Sequence, residues 1–432
     1  MARPAIQPAA VVTSVMFTQS DSVSEPRPAV RAPRRADRWW GIPLAVLGGL
    51  AVFAPVVAAV IPARTLVDRS RCVEYDQNDP SLCVRTNVQP AEFALVPADA
   101  EPVEPRLAVA GTPTYAEDGR IYFVTVREPE ITLLDWFGIA LEPSVRLRSN
   151  EDKYGTGTSE DRLREGQRQM TGAKDWAIYT ALTRAGFDAQ MVPGVAQVDY
   201  VVCLQPNDAG TECLNWAPAN DFLQEYDVIT SIDGRDVVIL DDVGAILADH
   251  EPGDVVDVTV LRNGEEVTGQ VELIDSPQDP GRTILGFMPI DTRTLQLPEG
   301  LTVDIDTGSI GGPSVGLAFT LALIDEVTEG SLTGGLEVAV TGTINEDGSV
   351  GAIGGLNSKA SAVQQVGVKY FLVPTSQGYD ERSPDSIPAA EKVVGDDVQI
   401  IPVATLEEAL AALEALGGDP IPAGPAAPTG QA

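Results

Sequence analysis

The sequence is short of histidine and of positive charge. It contains one histidine, His250, among 432 residues, so a catalytic triad with a histidine base would depend on that position alone. Lysine and arginine number 29 against 63 aspartates and glutamates, and the net charge of -34 argues against nucleic acid as a partner. No Gly-x-x-x-x-Gly-Lys-Ser/Thr phosphate loop occurs, so nothing in the sequence predicts an ATP-driven motor.

Cysteine is also scarce, with four residues and no Cys-x-x-Cys motif. Cys72 is close in sequence to Cys83, and Cys203 is close to Cys213, each pair in a stretch rich in Asp, Asn, Pro or Gly. Two local disulfides in an oxidising compartment are predicted, although four cysteines allow three connectivities. A zinc site is the alternative. The motif is missing and His250 is far away in the sequence, so no metal or cofactor is predicted.

Gly41 to Ile61 form a run of 21 residues without a charge. As a helix this run is about 30 Å long, which is enough to cross a bilayer, and it predicts one transmembrane helix over residues 39–62. Five arginines precede the run and three follow it, which favours a cytoplasmic N-terminus and an extracytoplasmic remainder. The alternative is a signal peptide cleaved after Ala59, but the run exceeds the usual length of about 7 to 15 residues.

A serine and a lysine stand at the starts of two predicted helices, 45 positions apart. Ser314 follows Gly-Gly-Pro and opens an apolar run, and Lys359 follows Gly-Gly-Leu-Asn-Ser and opens another. A lysine can take the proton of a serine hydroxyl only when it is neutral, so its pKa must fall from about 10.4 to roughly 7 or 8. Apolar neighbours at helical spacing predict that Lys359 is buried enough for this change.

The surroundings of the serine suit acyl transfer. Free N–H groups at the start of its helix are predicted to stabilise an oxyanion, with Gly311 and Gly312 allowing a close approach of the backbone. Leu336 to Ile344 predict a strand that carries Thr341, followed by a hairpin turn at Asn345 to Gly348. Each residue alone also fits a plainer interpretation, a serine in a tight turn or a solvated lysine on a helix. The combined pattern favours a Ser-Lys hydrolase.

At these positions the sequence resembles the proteolytic domain of Lon proteases, which has Gly-Pro-Ser-Ala-Gly at the nucleophile and Gly-Gly-Leu-x-x-Lys at the base. The resemblance implies that Ser314 is the nucleophile and Lys359 the base. It also implies that Thr341, aligned through Thr-Gly-x-Ile, hydrogen-bonds the lysine. Two positions depart from the pattern: Val315 replaces the usual alanine, and Gly311 stands where many ATP-dependent members have an acidic residue.

Residues 190–276 have the pattern of a small β-rich module. Tyr226 to Gly234 predict a strand and turn, a helix is predicted near residues 241–248, and Asn263-Gly264 marks a hairpin. The segment resembles PDZ domains of bacterial proteases, which share its Asp-Val-Ile-x-x-Ile-Asp-Gly strand and turn. PDZ modules bind extended peptide ends at a sheet edge, so the resemblance implies protein or peptide partners. The alternative is a module that only spaces the peptidase from the membrane.

The order of anchor, PDZ-like module and Lon-like domain resembles the membrane-anchored PDZ-Lon peptidases of bacteria. The predicted fold class is α/β (α+β), with an N-terminal transmembrane helix, a β-rich PDZ-like module and a C-terminal Lon-type proteolytic domain. The predicted segments are a disordered cytoplasmic tail 1–38, the transmembrane helix 39–62, a linker 63–113, a globular lead-in 114–189, the module 190–276, the Lon-like domain 277–416 and a disordered tail 417–432.

The sequence therefore predicts an ATP-independent serine endopeptidase that cleaves extended or unfolded proteins outside the cytoplasmic membrane. A homo-oligomer is implied by the resemblance, because Lon-like domains often form rings. Two alternatives stay open. One is a non-catalytic membrane scaffold whose PDZ-like module recruits protein tails. The other is a serine hydrolase with His250 as its base, although a surface histidine is the plainer interpretation of that position.

Overall fold

The computed structural model describes residues 37–75, 83–115, 119–154, 159–206, 212–277, 279, 281–290, 292–380, 383 and 385–421. The chain divides into two compact units, residues 1–56 and 57–432. Helix α1 (Asp37–Ala58) covers most of the uncharged run. The predicted transmembrane helix is not confirmed, since none of the helices among the described residues combines the length and the apolar character of a bilayer span. The tails predicted at 1–38 and 417–432 lie largely outside the described residues.

The second unit begins with short strands and two short helices. Strand β5 (Arg120–Arg127) contains Ile121 and Phe123, which are buried. In chain order these elements are β1 (Asp68–Tyr75), β2 (Cys83–Pro90), β3 (Phe93–Pro102), β4 (Leu107–Ala110), β5 (Arg120–Arg127), α2 (Leu133–Ile139), β6 (Arg146–Arg148) and α3 (Asn150–Tyr154).

A long helix then leads into the β-rich module, which has its own sheet in the order β14-β13-β11-β8-β17, with β12 beside β11. The elements are α4 (Ser159–Arg184), β7 (Gln190–Val192), β8 (Gln197–Val201), β9 (Cys203–Pro206), β10 (Cys213–Trp216), β11 (Val228–Ile232), β12 (Arg235–Asp236), α5 (Leu240–Leu247), β13 (Val255–Arg262), β14 (Glu265–Glu272), β15 (Ile274–Asp275), β16 (Thr283–Ile284) and β17 (Phe287–Ile290).

The module agrees with its sequence pattern. The hairpin predicted at Asn263-Gly264 is confirmed, because β13 and β14 pair antiparallel on either side of it. The helix predicted near residues 241–248 is confirmed as α5. Val198, Ile229 and Val258, from three neighbouring strands, are fully buried in a core that belongs to the module alone.

The C-terminal part alternates strands and helices. Helix α6 is buried along almost its whole length, as expected for a helix that is apolar on all sides. The elements are β18 (Thr294–Gln296), β19 (Thr302–Ile305), α6 (Gly316–Val327), β20 (Glu337–Val340), β21 (Thr343–Ile344), β22 (Val350–Gly351), α7 (Leu356–Val366), β23 (Tyr370–Pro374), α8 (Ile387–Val394), β24 (Gln399–Val403) and α9 (Leu406–Leu416).

One six-stranded sheet joins the two ends of the second unit, in the order β24-β23-β20-β5-β3-β6. The neighbours from β24 to β5 are parallel, and β3 and β6 add antiparallel pairs. Strands β3, β5 and β6, which the sequence analysis placed in the linker and lead-in, therefore share a sheet with the C-terminal part. The β-rich module enters the chain between the two halves of this sheet.

Helices cover both faces of the six-stranded sheet. Val338 and Val340 of β20 belong to the core that contains α4, α6 and α9, whereas Ala339 belongs to the core that contains α7 and α8. Alternate residues of a strand point to opposite faces, so the sheet separates α6 from α7. The N-terminal ends of these two helices meet beyond the carboxyl end of β20, as the contacts below show.

The strand predicted over Leu336 to Ile344 is wrong in its extent. Strand β20 ends at Val340, and β21 turns away to pair with β22. Gly342 marks the break: its φ is +148°, and a Cβ there would lie 2.7 Å from Val350 Cγ1. Thr341 consequently lies just beyond the strand, at the open end of the sheet.

One of the two predicted disulfides is observed. Cys203 and Cys213 are bonded and join β9 to β10. Cys83 is also disulfide-bonded, but the side chain of Cys72 lies outside the described residues, so its pairing with Cys83 stays a prediction. The bond between Cys203 and Cys213 removes these two residues from any zinc site.

Candidate active site

Ser314 lies on a turn two residues before α6, fastened to the end of β20. Its carbonyl oxygen accepts hydrogen bonds from the Gly342 amide at 2.9 Å and from Thr341 Oγ1 at 3.1 Å. In return, the Leu317 amide donates to the Gly342 carbonyl at 3.1 Å. The break after β20 thus positions the serine, because the amide and the carbonyl of Gly342 at this break both hydrogen-bond to the serine turn.

Lys359 occupies the first turn of α7, and its side chain is enclosed. The helix begins after Gly355, whose φ of +74° and close approach to Leu95 leave no room for a side chain, since a Cβ would lie 2.9 Å from Leu95 Cδ2. Leu356, Ala360 and the lysine itself are buried, and Lys359 is only 2% exposed. The burial predicted from its apolar neighbours is confirmed.

The amine and the two hydroxyl groups are in contact. Lys359 Nζ lies 2.7 Å from Ser314 Oγ and 2.9 Å from Thr341 Oγ1. The hydroxyl proton of Thr341 is used on the Ser314 carbonyl, so Thr341 Oγ1 accepts a hydrogen bond from Nζ. This contact fixes one amine hydrogen and leaves the nitrogen lone pair available to the serine hydroxyl.

The electrostatics of the site keep the lysine ready to act as a base. Desolvation by burial lowers the pKa of Lys359 from 10.5 to about 7, while the negative charge of Asp385 acts in the opposite direction. At neutral pH about half of the molecules therefore carry the free amine. A general base with a pKa near the working pH is the most effective kind.

Gly311 and Gly312 stand beside the serine, but their surroundings differ from the expectation. The sequence predicts that they let the backbone approach a substrate, whereas in the structure the amide of Gly312 donates a hydrogen bond to the carbonyl of Gly166 in α4 at 3.0 Å. A Cβ on Gly311 would lie 3.6 Å from the same carbonyl. The two glycines therefore attach the serine turn to α4, and the Gly312 amide has a partner in this conformation.

A cleft of about 310 Å³ opens beside Ser314. It is close to the lower limit of the size usual for ligand sites, which begins at about 300 Å³. Its walls are mainly apolar, with three charged side chains. The lining residues besides Ser314 are Leu95, Val126, Glu128, Arg146, Arg148, Pro313, Thr343, Ala352, Ile353, Gly354 and Gly355.

Five of these cleft residues come from residues 95–148, which sequence reasoning did not connect with the site. Arg146 is ion-paired with Asp385 at 2.7 Å, and Arg148 is ion-paired with Glu128. No local motif marks these residues. They reach the cleft because β3, β5 and β6 join the sheet next to β20, a pairing between segments that are distant in sequence.

His250 does not contact the serine. It lies in the β-rich module with its ring nitrogens 3.8 Å from Asp233 Oδ2 and 3.7 Å from Asp254 Oδ2. The hydrogen-bond partner of the Ser314 hydroxyl is Lys359. The structure therefore gives the histidine-based alternative no geometric basis.

The sheet, the serine turn and the buried lysine define a hydrolase domain of the Ser-Lys type. Comparison with known proteins agrees: residues 295–415 match the C-terminal proteolytic domain of Lon protease (S16), and residues 215–273 match the PDZ domain family. The chain thus carries a Lon-type serine peptidase domain together with a PDZ domain.

Two curated relatives are each similar to about a quarter of this chain. The Lon protease of Neorickettsia sennetsu is 37% identical over 116 residues, which are 27% of this chain and 12% of the relative. The Lon protease of Vibrio parahaemolyticus is also 37% identical over 116 residues, 27% of this chain and 13% of the relative. This chain therefore spans about an eighth of the length of these relatives.

A solved structure is similar to this chain over the PDZ part. It is the PDZ domain of an SdrC-like protein from Listeria monocytogenes, with 20% sequence identity and a TM-score of 0.17. The match covers 23% of this chain and 94% of that domain.

Proposed function

We propose that the protein is a serine endopeptidase in which Ser314 is the nucleophile and Lys359 the general base. The observation that carries the proposal is the 2.7 Å contact between Ser314 Oγ and the Nζ of a lysine that is 2% exposed. A buried lysine without a carboxylate partner is unfavourable unless it is neutral, and a neutral amine at this distance can take the serine proton. A purely structural scaffold would gain nothing from such a lysine.

In the proposed reaction Ser314 Oγ attacks the carbonyl carbon of a peptide bond and its proton passes to Lys359 Nζ. The lysine then donates this proton to the leaving amine, and an acyl-enzyme forms on the serine. A water molecule, deprotonated by the same lysine, attacks the ester, and the lysine returns this proton to Ser314 Oγ as the bond between Oγ and the acyl carbon breaks and the second product leaves. Thr341 keeps Nζ in line with the serine through both steps.

We propose that the substrates are extended or unfolded segments of protein and that cleavage is independent of ATP. The cleft beside Ser314 is bounded by strands β3, β5 and β6, and its volume of about 310 Å³ suits a few side chains of an open chain rather than a folded domain. The PDZ domain is the candidate site for capturing such a chain, because PDZ modules bind extended peptide ends at a sheet edge.

We further propose that the peptidase works outside the cytoplasmic membrane and is held there by residues 39–62. Two observations support this location. Gly41 to Ile61 carry no charge, and the bond between Cys203 and Cys213 suits an oxidising compartment. Extraction of cell membranes at alkaline pH tests the anchor. The chain is expected to stay in the membrane fraction, and its complete release would contradict this part of the proposal.

The activity is tested with the purified full chain and a permanently unfolded protein such as a reduced, alkylated substrate, without nucleotide. Wild type is expected to cleave it, and Ser314→Ala and Lys359→Ala are expected to be inactive. Ser361→Ala, on the same helix as the lysine, is the matched control and should remain active. Equal cleavage by wild type, Ser314→Ala and Lys359→Ala would overturn the assignment.

A further inference from the structure

An exposed apolar surface lies where the chain emerges from the uncharged run. Phe137 and Leu141 are 69% and 97% exposed, and Val60 and Leu66 are 76% and 75% exposed. Together with the exposed Leu134, these five residues are called the apolar patch below. Large apolar side chains that cluster in the open mark an interaction site.

The two segments that form the apolar patch are joined by backbone hydrogen bonds. The amide of Leu133 donates to the carbonyl of Ile61 at 3.0 Å, and the amide of Ala63 donates to the carbonyl of Ile131 at 2.9 Å. Ala63, Ile131 and Leu133 pack in a small core beneath. Helix α2 is therefore fixed within hydrogen-bond distance of the last residue of the uncharged run, Ile61.

We propose that the apolar patch lies in the interface of a lipid bilayer and holds residues 57–67 and helix α2 on the membrane. This inference rests on the membrane location proposed above. The bilayer is the partner that fits because Val60 belongs to the uncharged run and Leu66 follows the end of that run by five residues in the chain. A short apolar helix with neighbouring aromatic rings, here Trp136 and Phe137 at 4.8 Å, is suited to the boundary between headgroups and acyl chains.

The test places the full chain in vesicles of phosphatidylcholine that contain a lipid with a photoreactive diazirine on its acyl chain. After illumination, tryptic peptides are analysed by mass spectrometry. Labelling is expected on the peptide of residues 128–146, as well as on that of residues 39–64, and not on residues 263–282. The double variant Phe137→Ser and Leu141→Ser should lose the label on 128–146. Leu214→Ser, which removes an exposed leucine of the β-rich module, should keep it.

The outcomes separate this inference from the proposal it rests on. Label on residues 39–64 alone supports the anchor and overturns the seating of α2. Label on neither peptide overturns both. If the double variant keeps its lipid label but no longer forms cross-links between copies of the chain, the apolar patch contacts a second copy and the lipid assignment is wrong.

A separate observation concerns α4, which touches both the PDZ domain sheet and the serine turn. Arg168 is ion-paired with Asp199 of β8, a carboxylate that is 6% exposed, and its guanidinium also lies 5.9 Å from the Tyr200 ring. Two residues earlier, Gly166 accepts the hydrogen bond from the Gly312 amide at 3.0 Å. On α4, the residue that contacts the sheet and the residue that contacts the serine turn are therefore about half a helical turn apart.

We infer that Arg168 is a positioning residue, which holds α4 against β8 so that the Gly166 carbonyl keeps the serine turn in register with Lys359. This inference rests on the proposed peptidase activity. Strand β8 pairs with β17 at the edge of the sheet, so a peptide added at that edge would act on the serine through the same contacts. Loss of the Arg168 contact is expected to lower kcat rather than to raise KM, because Arg168 does not line the cleft.

The test measures kcat and KM of the full chain on a short fluorogenic peptide. Arg168→Ala and Asp199→Asn are expected to lower kcat by about 10- to 100-fold with KM unchanged, since small misplacements of reacting groups have effects of this size. Arg168→Lys should recover most of the rate, and Gln169→Ala, its exposed neighbour, should match wild type. A melting temperature near that of wild type excludes general unfolding.

Wild-type kcat in Asp199→Asn with its native melting temperature would overturn the positioning role, even if Arg168→Ala does not fold. A failure of the proposed activity looks different. In that case wild type itself neither cleaves the peptide nor reacts at Ser314 with a fluorophosphonate.

Discussion

Replacing Lys359 by methionine is expected to abolish activity and, near neutral pH, to stabilise the protein. The unfolded chain binds a proton on this lysine below about pH 10.4, whereas the folded chain binds it only below about pH 7 because of burial. Between these values folding releases a proton. The unfolded state then binds more protons than the native state, so the stability of wild type rises with pH across this window.

The magnitude follows from the same two pKa values. Keeping the lysine neutral lowers the free energy of unfolding by about 4 kcal/mol at pH 7 and by about 1 kcal/mol at pH 10. Methionine avoids this effect but loses the two hydrogen bonds of Nζ, worth about 1 kcal/mol each. The variant is thus expected to be more stable than wild type by about 2 kcal/mol at pH 7, and less stable by about 1 kcal/mol at pH 10.

The assay is urea unfolding of both proteins at pH 7, 8.5 and 10, followed by tryptophan fluorescence. Lys369→Met, at an exposed lysine three residues beyond α7, is the matched control and should show no such dependence on pH. A difference between Lys359→Met and wild type that stays constant from pH 7 to pH 10 would refute the reasoning. It would mean that the lysine titrates normally and is not the base at neutral pH.

Three further predictions concern activity and the β-rich module. The value of kcat/KM should rise about tenfold per pH unit below pH 7 and level off above it, because only the neutral Lys359 is active; a midpoint near pH 10 in a stopped-flow peptide assay would argue against this. Thr341→Val should lower kcat about tenfold by removing the acceptor for Nζ, while Thr341→Ser should stay near wild type; equal rates for both variants would exclude the orienting role. Replacing Cys203 and Cys213 together by serine should lower the free energy of unfolding of the module by up to about 3 kcal/mol, with unchanged cleavage of short peptides; calorimetry shows whether the module transition moves.

Local signals in the sequence were sufficient to single out Ser314 and Lys359, which the structure places in contact. Gly-Gly-Pro before Ser314 and Gly-Gly-Leu before Lys359 are short motifs that build helix starts, and the apolar spacing around Lys359 predicted its burial. The Asn263-Gly264 pair likewise predicted its hairpin, because these two residues favour the tight turn that joins two antiparallel strands. These features depend on neighbours within a few residues, which a single sequence displays.

Other features depended on contacts between distant segments. Leu95, Val126 and Arg146 line the cleft only because β3, β5 and β6 pair beside β20. No motif near these residues in the sequence predicts that pairing. Gly312 was expected to allow a close approach of the backbone to the substrate, but its amide donates a hydrogen bond to the carbonyl of Gly166 in α4, a residue distant in sequence.

The sequence alone determined which side chains are candidates for the proposed chemistry, since helix starts, turns and burial patterns depend on short stretches of chain. The tertiary structure decided where these side chains meet. The 2.7 Å contact between Ser314 and Lys359 joins residues 45 positions apart, and only the packing of α6 and α7 on opposite faces of one sheet brings them together. That packing also removes the water that would otherwise keep the lysine charged.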